Sequence, residues 1–189
     1  EGREVLKSLL FDIKQLNKLS NGLLDLAQAS LDISEIKLNN VRIDELIGFA
    51  RAELLKRNKD YKVILNFSEF PDENWLILTA NEQLLKSALL NVLENACKYS
   101  KDQTASLEIM FDEKYIYLFI SDKGIGISEE DIKQVFEPFF RAGNVKNYNG
   151  HGIGLTLTKK IIELHNGSIT IKSLVGIGTT IEIKIPHLV

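Results

Sequence analysis

The chain has 189 residues, 44% hydrophobic and 26% charged, with a formal net charge of -3 and a pI near 5.7. This composition indicates an ordinary globular protein with a buried core and excludes general disorder. The slightly acidic balance argues against bulk attraction to nucleic acid or anionic membranes, so we expect no nucleic-acid partner and only local phosphate recognition. The single cysteine, Cys97, and three scattered histidines exclude a disulfide framework and zinc-ligand spacing, so any metal should have oxygen ligands.

The sequence lacks a run of about 18 apolar residues, and its first residues, EGREVLKSLL, do not resemble a secretory signal. We therefore expect this segment to be cytoplasmic, neither crossing a membrane nor being exported. A membrane anchor outside the segment remains compatible with this expectation.

The chain begins with apolar residues at alternating steps of three and four: Leu6, Leu9, Ile13, Leu16, Leu23 and Ala27. This spacing predicts a long helix from Glu1 to about Ser30. Additional leucines widen its apolar face, which is typical of a helix in a bundle. We expect helices outside this segment or from a second copy to complete the bundle, although packing on its own domain is the alternative.

Residues 32–42 break this periodicity and predict a linker, with a boundary near residue 38 and domains at 1–37 and 38–189. The elements predicted next are a helix at Ile43–Arg57, strands at Lys62–Phe67 and Trp75–Thr79, and a helix capped by Asn81 and running through Ala96.

The second half of the chain predicts a hairpin followed by two helices and a second hairpin. Its elements are strands at Ser106–Phe111 and Tyr115–Ser121, helices from Ser128 to about Phe136 and from Gly152 to about His165, and strands at Ser168–Ser173 and Thr179–Ile185. The polar, asparagine-rich stretch between Arg141 and Gly150 predicts a mobile lid.

Polar side chains form a stripe on the helix that Asn81 begins. Asn91, Asn95 and Lys98 stand at i, i+4 and i+7, with Tyr99 at the edge of the same face. Amide oxygens can bind a hard cation such as magnesium, and an ammonium group can meet phosphate charge. An exposed polar face would explain the stripe taken alone, but the glycine loops that follow favour nucleotide binding.

Two glycine-rich loops follow: DKGIGI, Asp122 to Ile127, and GHGIGL, Gly150 to Leu155. Gly124 and Gly126 permit close backbone approach, and the Asp122 carboxylate can accept a hydrogen bond from an exocyclic amine. A turn with a capping aspartate is the commoner use of the first motif. The second loop opens a helix whose free amides would face an anion. Because the P-loop and Rossmann fingerprints are absent, another mode of nucleotide binding is needed.

The stretches NVLENACKYS, DKGIGI, FEPFFR and the C-terminal region from GHGIGL onward resemble, in this order, the N, first glycine, F and second glycine boxes of bacterial sensor histidine kinases. The resemblance covers about residues 40–186. It implies the Bergerat-type ATP-binding fold, an α/β (α+β) two-layer sandwich with a mixed sheet, with ATP and Mg²⁺ as ligands. It also implies that the leading helix is the second helix of the dimerisation and phosphotransfer bundle.

The resemblance also implies individual roles. Asn95 would hold magnesium, with Asn91 and Lys98 contacting phosphates and Tyr99 flanking the nucleotide. Asp122, supported by Thr179, would bind the adenine amine. The other binding positions it implies are Gly124, Gly126 and Ile127 near adenine, and Arg141, Gly150, His151, Gly152, Ile153, Gly154 and Leu155 at the lid and phosphates.

The acceptor box of the family, a histidine followed by an acidic residue, is absent. His165 ends a predicted helix, His187 lies in the tail, and His151 lies between lid glycines, so none has the expected surroundings of an acceptor. We expect the acceptor helix to lie outside this segment. His151 either has no specific role or touches phosphate.

The resemblance implies a homodimeric kinase that transfers the γ-phosphoryl group of ATP to a histidine, for relay to an aspartate in a response regulator receiver domain. Its catalytic residues would be Glu94, Asn95 and Lys98, acting mainly by positioning and charge neutralisation. Two alternatives stay open. One is an ATPase of the gyrase and Hsp90 type in which Glu94 is the general base on water. The other is a non-enzymatic, nucleotide-sensing scaffold that dimerises through the first helix.

Overall fold

The computed structural model describes residues 36–67, 72–145, 148 and 150–187, together with residues 4–6, 9–10, 13 and 20. Apart from these few early positions, the helix expected over Glu1 to Ser30 lies outside the described residues. The domain division at residue 38 therefore stays a prediction. Within the described ranges, no helix is long and apolar enough to cross a membrane.

The described residues form an α/β structure. Its helices are α1 (Ile43–Arg57), α2 (Glu82–Tyr99), α3 (Glu129–Ile132) and α4 (Gly154–Leu164). Its strands are β1 (Asn39–Arg42), β2 (Lys62–Phe67), β3 (Ile77–Ala80), β4 (Ser100–Phe111), β5 (Tyr115–Gly124), β6 (Ser168–Leu174) and β7 (Gly178–Pro186). Single turns of 3-10 helix occupy Glu73–Leu76 and Gly143–Val145.

The larger sheet has the strand order β2-β4-β5-β7-β6. Strands β2 and β4 are parallel, whereas the other neighbours are antiparallel, so the sheet is mixed. Along β5, Ile116, Leu118 and Ile120 are buried while the residues between them are half-buried. One face of the sheet therefore packs against the helices, and the predicted two-layer sandwich with a mixed sheet is confirmed.

Helix α2 occupies the centre of the core. Its Leu85, Leu89 and Leu93 are completely buried and belong to one cluster with Leu107 and Leu118 of the sheet. Burying a leucine of this kind contributes about 1.5–3 kcal/mol. Core packing thus fixes the position of α2, and the opposite side of the helix is left for a site.

The start of α2 is fixed by a side-chain cap. Oδ1 of Asn81 accepts a hydrogen bond from the Leu84 N–H at 3.0 Å, as predicted. The Asn81 N–H donates to Nε2 of His165 at 2.9 Å, and Nδ1 of His165 lies 2.7 Å from the Ile161 carbonyl oxygen. The C-terminal end of α4 is therefore tied to the N-terminal end of α2.

Two predicted boundaries in the first half were wrong. Residues Asn39–Arg42, expected within the linker, form β1 and pair with β3 in a small antiparallel sheet. The strand expected to begin at Trp75 begins at Ile77. The Asp72 side chain accepts a hydrogen bond from the Asn74 N–H and starts a 3-10 turn instead, and Trp75 stacks on His187. Both differences come from local capping and long-range pairing that apolar alternation does not encode.

Boundaries near the glycine loops also differ from the predictions. Strand β5 continues through Asp122 to Gly124 instead of ending at Ser121. Helix α3 has the predicted Ser128 cap but ends at Ile132, followed by turns that lead to Pro138. Helix α4 begins at Gly154, not at Gly152, because the φ of +73° at Gly152 is not helical.

Strand β4 begins earlier than predicted, at Ser100 instead of Ser106. Its first residues are polar, and its register with β5 shifts between Ser100 and Ala105. This irregularity conceals the strand in the sequence because alternation is lost at a bulge. The consequence for the site is that α2 leads directly into the sheet, which holds Tyr99 next to β5.

Candidate functional site

A cavity of about 540 Å³ opens between α2, the C-terminal end of β5, the N-terminal end of β7, and residues from the ranges 141–145, 148 and 150–155. Its volume is in the range of small-molecule sites. Sixteen of the positions predicted from the sequence line it: Asn91, Glu94, Asn95, Lys98, Tyr99, Asp122, Gly126, Ile127, Arg141, Gly150, His151, Gly152, Ile153, Gly154, Leu155 and Thr179. Gly124 does not line the cavity, and it packs against the backbone of Tyr99.

The polar stripe on α2 forms one wall of the cavity. Asn91, Asn95 and Lys98 line it and are half-buried, in keeping with their spacing on one helical face. A Cβ placed on Gly154 would lie 3.5 Å from Oδ1 of Asn91. The first turn of α4 therefore faces the stripe directly, and glycine at this position keeps the space between them open.

Lys98 and Tyr99 meet at the edge of this wall. Nζ of Lys98 donates to the Tyr99 hydroxyl at 3.2 Å and lies 4.7 Å from the centre of its ring. Burial raises the pKa of Tyr99, so the phenol is neutral at physiological pH. A Cβ on Gly150 would lie 3.2 Å from the Lys98 Nζ. The ammonium group thus lies close to the first glycine of the GHGIGL loop.

Asp122 lies on the opposite wall, where β5 pairs with β7 and Asp122 is opposite Thr179. Oδ1 of Asp122 is buried and has no hydrogen-bond partner within the described part of the chain. Burial raises the pKa of Asp122 to about 6, although backbone N–H groups of Gly124 and Thr179 oppose the rise. An unpaired buried acceptor costs about 1–3 kcal/mol, so this oxygen is available for a ligand donor at a cost to stability.

Two glycines let the DKGIGI loop approach its neighbours closely. A Cβ on Gly124 would lie 2.0 Å from the Tyr99 carbonyl oxygen, and one on Gly126 would lie 2.1 Å from the Leu174 carbonyl oxygen. Gly126 also has a φ of +64°. No side chain fits at either position, so the loop is packed between α2 and β6.

Hydroxyl groups fix the other side of this loop. Oγ of Ser173 accepts from the Ile127 N–H at 2.8 Å, donates to the Gly178 carbonyl oxygen and lies 2.8 Å from Oγ1 of Thr179. The Thr179 hydroxyl is therefore bonded to Ser173, whereas the Thr179 N–H is the group that acts on Asp122. Ser173 was not predicted as a site residue, and it is the group that connects the loop to β7.

Arg141, Ala142, Val145 and Tyr148 contribute another part of the wall. The Arg141 guanidinium donates to the carbonyl oxygens of Val145, at 2.7 Å, and Tyr148. The Tyr148 ring packs edge-on against Tyr99 with the ring centres 5.1 Å apart. In this conformation Arg141 holds loop backbone, and its predicted contact with a nucleotide remains a prediction.

Apolar lining residues were missed as site residues. Ile120, Ile171 and Ile181 come from three strands, and further apolar lining comes from Tyr61, Val135, Phe140, Val145 and Tyr148. The strand residues carry a readable signal, since alternation directs them inward, but it does not separate a cavity wall from core. Ile120 and Ile181 pair two residues from Asp122 and Thr179, so this part of the wall suits a flat, uncharged ring.

The described residues contain no group of three or more His, Cys, Asp and Glu side chains able to hold a metal ion. The amide and carboxylate oxygens on the α2 wall come from Asn91, Asn95 and Glu94. This sparse set fits magnesium, which commonly takes one or two protein ligands and completes its shell with water and phosphate oxygens.

The three histidines have different surroundings. His165 and His187 are buried and bonded to backbone groups of Asn81 and Asp112, respectively. His151 is half-buried and lines the cavity. Only His151 is therefore positioned to meet a ligand in this cavity, and its two predicted alternatives stay open.

These features define a class of protein, a two-layer α/β sandwich whose cavity faces a buried carboxylate on one side and a polar helix stripe on the other. The sequence profile of the histidine kinase-, DNA gyrase B- and HSP90-like ATPase family matches residues 80–189, more than half of the chain. The chain therefore belongs to this family, and the resemblance seen in the sequence motifs is confirmed.

The chain is similar to bacterial sensor proteins. Sensor protein SrrB of Staphylococcus aureus (strain MRSA252) is 32% identical over 190 residues, which cover 98% of this chain and 32% of the relative. SrrB of strain NCTC 8325 is 31% identical over the same span. The chain thus spans about a third of the length of these relatives.

The chain is also similar to proteins of known structure. A mycobacterial sensor histidine kinase, MprB, has a TM-score of 0.69 at 26% identity and matches 79% of this chain and 98% of its own. Full-length ShkA in complex with AMPPNP has a TM-score of 0.77 at 21% identity, covering 98% of this chain and 38% of its own. The second likeness concerns the fold alone. Together they agree with the family assignment.

Proposed function

We propose that this chain is the ATP-binding catalytic region of a two-component sensor histidine kinase and transfers the γ-phosphoryl group of ATP to a histidine outside this segment. One observation carries the proposal. The unpaired Oδ1 of Asp122 and the stripe of Asn91, Asn95 and Lys98 line the same cavity from different sides. A ligand that fills this space needs a donor group on a flat ring at one end and anionic groups at the other.

Adenine would occupy the end of the cavity at Asp122. Its exocyclic amine would donate to Oδ1, and the surrounding isoleucines would contact the ring. Guanine presents a carbonyl oxygen at the corresponding position, which would face the carboxylate without a proton between them. An unsatisfied buried pair of this kind disfavours the wrong base by about 1–3 kcal/mol.

The phosphates would lie between α2 and the start of α4. The N-cap position Ile153 provides no side-chain hydrogen bond, so the first amides of α4 are available for an anion. Lys98 would contribute its charge, and the amide oxygen of Asn95 would hold magnesium. The metal, when bound, would supply neutralisation of the charge that develops on the phosphates.

Glu94 supports a second candidate function. It lines the cavity beside Asn95 and could act as a general base on water, which would give an ATPase, or on the acceptor histidine. The F-box stretch and the predicted leading bundle helix favour the kinase. In both cases the Glu94→Gln variant should lose turnover, so the identity of the product distinguishes the two functions.

The test is phosphoryl transfer from labelled ATP to a separate polypeptide that carries a cognate acceptor helix. We expect acid-labile phosphohistidine on the acceptor with wild-type chain and none with Asn95→Ala. Asn40→Ala, an exposed asparagine on β1, is the matched control and should transfer normally. Phosphate release at the same rate with and without acceptor helix, and no phosphohistidine, would favour the ATPase.

The whole protein would be a homodimer through the helix bundle, with the receiver domain of a response regulator as its partner and a cytoplasmic location for this segment. These features are proposals, because they concern the full-length protein and the chain spans only about a third of the length of its relatives. Sedimentation of the full-length protein tests the dimer, and transfer of label from phosphohistidine to an added receiver domain tests the relay.

A further inference from the structure

The hairpin between β6 and β7 ends in three exposed aliphatic side chains. Leu174, Val175 and Ile177, here called the aliphatic tip, are 65%, 59% and 66% exposed. Turns usually carry polar residues, so three large aliphatic side chains at one turn form an unusual exposed patch. The patch has no role in the nucleotide cavity, because none of its side chains lines that cavity.

The aliphatic tip is held in a defined position. The Gly176 N–H donates to the Ile125 carbonyl oxygen at 2.8 Å, and Nζ of Lys101 donates to the Gly176 carbonyl oxygen at 3.0 Å. The Ile177 N–H closes the turn on the Leu174 carbonyl oxygen. Because these bonds satisfy the turn's backbone, the aliphatic side chains project from a fixed platform.

Three lysines surround this platform and are called the lysine collar: Lys101, Lys123 and Lys172. All three are exposed. Nζ of Lys101 donates to the Gly176 carbonyl oxygen, the Cα of Lys123 would lie 3.1 Å from a Cβ on Gly178, and Lys172 pairs with Thr180 near the start of β7. The end of the sheet that carries the aliphatic tip therefore presents three exposed ammonium groups, although the chain as a whole has a net charge of -3.

Acidic side chains also lie near this end. Asp102 is next to Lys101, and its carboxylate accepts from the Ser100 hydroxyl and the Thr104 N–H. Glu129 and Glu130 begin α3, which packs on β6 from the helix layer. The lysine collar and the aliphatic tip therefore combine on the outer face of the hairpin, while the α3 carboxylates belong to the helix side.

We propose that the aliphatic tip is a peripheral contact with the anionic surface of a membrane. The three aliphatic side chains would enter the boundary between headgroups and acyl chains, and the lysine collar would meet lipid phosphates. A narrow apolar projection with cations at its base suits insertion into a soft interface. A flat protein interface would require a broader complementary patch than one turn provides.

Such a contact is weak and reversible by itself, since stable membrane attachment needs a second signal. Any other membrane attachment of the full-length protein would strengthen this contact, because it would raise the effective concentration of the aliphatic tip at the membrane. Because Gly176 is bonded to Ile125 and Leu174 abuts Gly126, the contact would fix the orientation of the nucleotide cavity relative to the membrane.

The test is co-sedimentation of the chain with vesicles of mixed phosphatidylglycerol and phosphatidylcholine, and with phosphatidylcholine vesicles alone. We expect binding to the anionic vesicles that weakens with salt. The triple variant L174S/V175T/I177T should bind about tenfold or more weakly. The collar variant K123Q/K172Q should also lose about tenfold, while Lys101 is kept because it supports the turn.

The matched control is I64S/M110S. These two exposed apolar residues lie on other strands, β2 and β4, away from the aliphatic tip, and their replacement should leave vesicle binding unchanged. The exposed leading residues Val5, Leu6 and Leu9 are present in every variant, so only differences between variants report on the aliphatic tip. Equal nucleotide affinity would establish that the variants are folded.

A second readout is the emission of a Val175→Trp variant, corrected for the emission of Trp75. A blue shift with anionic vesicles is expected. Absence of the shift, equal binding by wild type and the triple variant, or self-association through the aliphatic tip without lipid would each overturn the proposal. The last result would instead identify a protein-binding surface.

Discussion

The two ends of the cavity are constructed differently. At the Asp122 end, paired strands and two glycines without room for a side chain fix the wall, and a hydroxyl network connects it to β7. At the other end, Arg141 donates to the Val145 and Tyr148 carbonyl oxygens, Tyr148 packs on Tyr99, and a Cβ added to the nearby Gly143 would meet no atom within 4 Å. The Asp122 end, which is proposed to bind the base, is thus fixed by the fold, whereas the end that is proposed to bind phosphates leaves room for rearrangement.

This difference has an energetic counterpart. The preformed end keeps a buried carboxylate oxygen without a partner, which destabilises the free protein and favours a ligand that supplies the missing donor. The end that is proposed to bind phosphates would rely on the half-buried Lys98 and on the first amides of α4. Substitutions of the two glycines at the first end should therefore damage the fold, whereas substitutions at the second end should mainly affect binding.

The largest effect is expected for Gly124→Ala, whose Cβ would lie 2.0 Å from the backbone oxygen of Tyr99. Either α2 or β5 must move, so we expect a loss of about 3 kcal/mol or more in the free energy of unfolding. Gly143→Ala, with open space around it, should change stability by about 0.5 kcal/mol or less. Urea denaturation compares the two, and equal losses would contradict the proposed contrast between the ends.

The Asp122→Asn variant is expected to lower nucleotide affinity and to raise the stability of the protein. We expect nucleotide affinity to fall by about 100-fold, because a charge-assisted hydrogen bond to the base is lost. Stability at neutral pH should rise by about 1 kcal/mol, since burial raises the pKa of Asp122 to about 6 and partial solvent screening limits the gain. Calorimetric titration and thermal unfolding measure both changes. A simultaneous loss of stability and affinity would mean that the carboxylate is structural.

His165, at the C-terminal end of α4, is expected to make the stability of the protein depend on pH. Its Nε2 accepts from Asn81 and burial lowers its pKa, so the folded state holds the neutral ring. The unfolded chain binds a proton below about pH 6.5, and stability from this group is therefore lost as pH falls below that value. We expect wild type to lose about 1 kcal/mol more than His165→Gln on acidification to about pH 5.5. Asp122, which has the opposite dependence, is present in both proteins and cancels.

The smallest effect is expected for Tyr148→Leu, which removes the edge-on contact with Tyr99 and retains a large apolar side chain. An aromatic pair contributes about 0.5–1.5 kcal/mol, so nucleotide affinity should fall about threefold to tenfold with little change in melting temperature. Tyr117→Leu, on the outer face of β5, is a control for the loss of an aromatic ring away from the cavity. A loss as large as that of Asp122→Asn would show that the phosphate end is also rigid.

Most of the positions chosen from the sequence line the cavity because they follow local periodicity. Asn91, Asn95 and Lys98 share a helical face whenever that helix forms, and the glycine loops occur at strand and helix ends. The strand β1 and the Ser173 network could not be predicted in this way. They depend on pairing between residues that are distant in the chain. The sequence does not distinguish Ser173 from other strand serines, because only the fold brings Ile127 and Thr179 next to it.

The contrast between the two ends is tested most directly by calorimetric titration of adenosine and of Mg-ATP into wild type, Asn95→Ala and Asp122→Asn. We predict that Asn95→Ala binds adenosine within about twofold of wild type but loses about 100-fold in affinity for Mg-ATP. Asp122→Asn should lose both ligands. Normal Mg-ATP binding by Asn95→Ala, or normal adenosine binding by Asp122→Asn, would contradict the assignment of base and phosphates to the two ends.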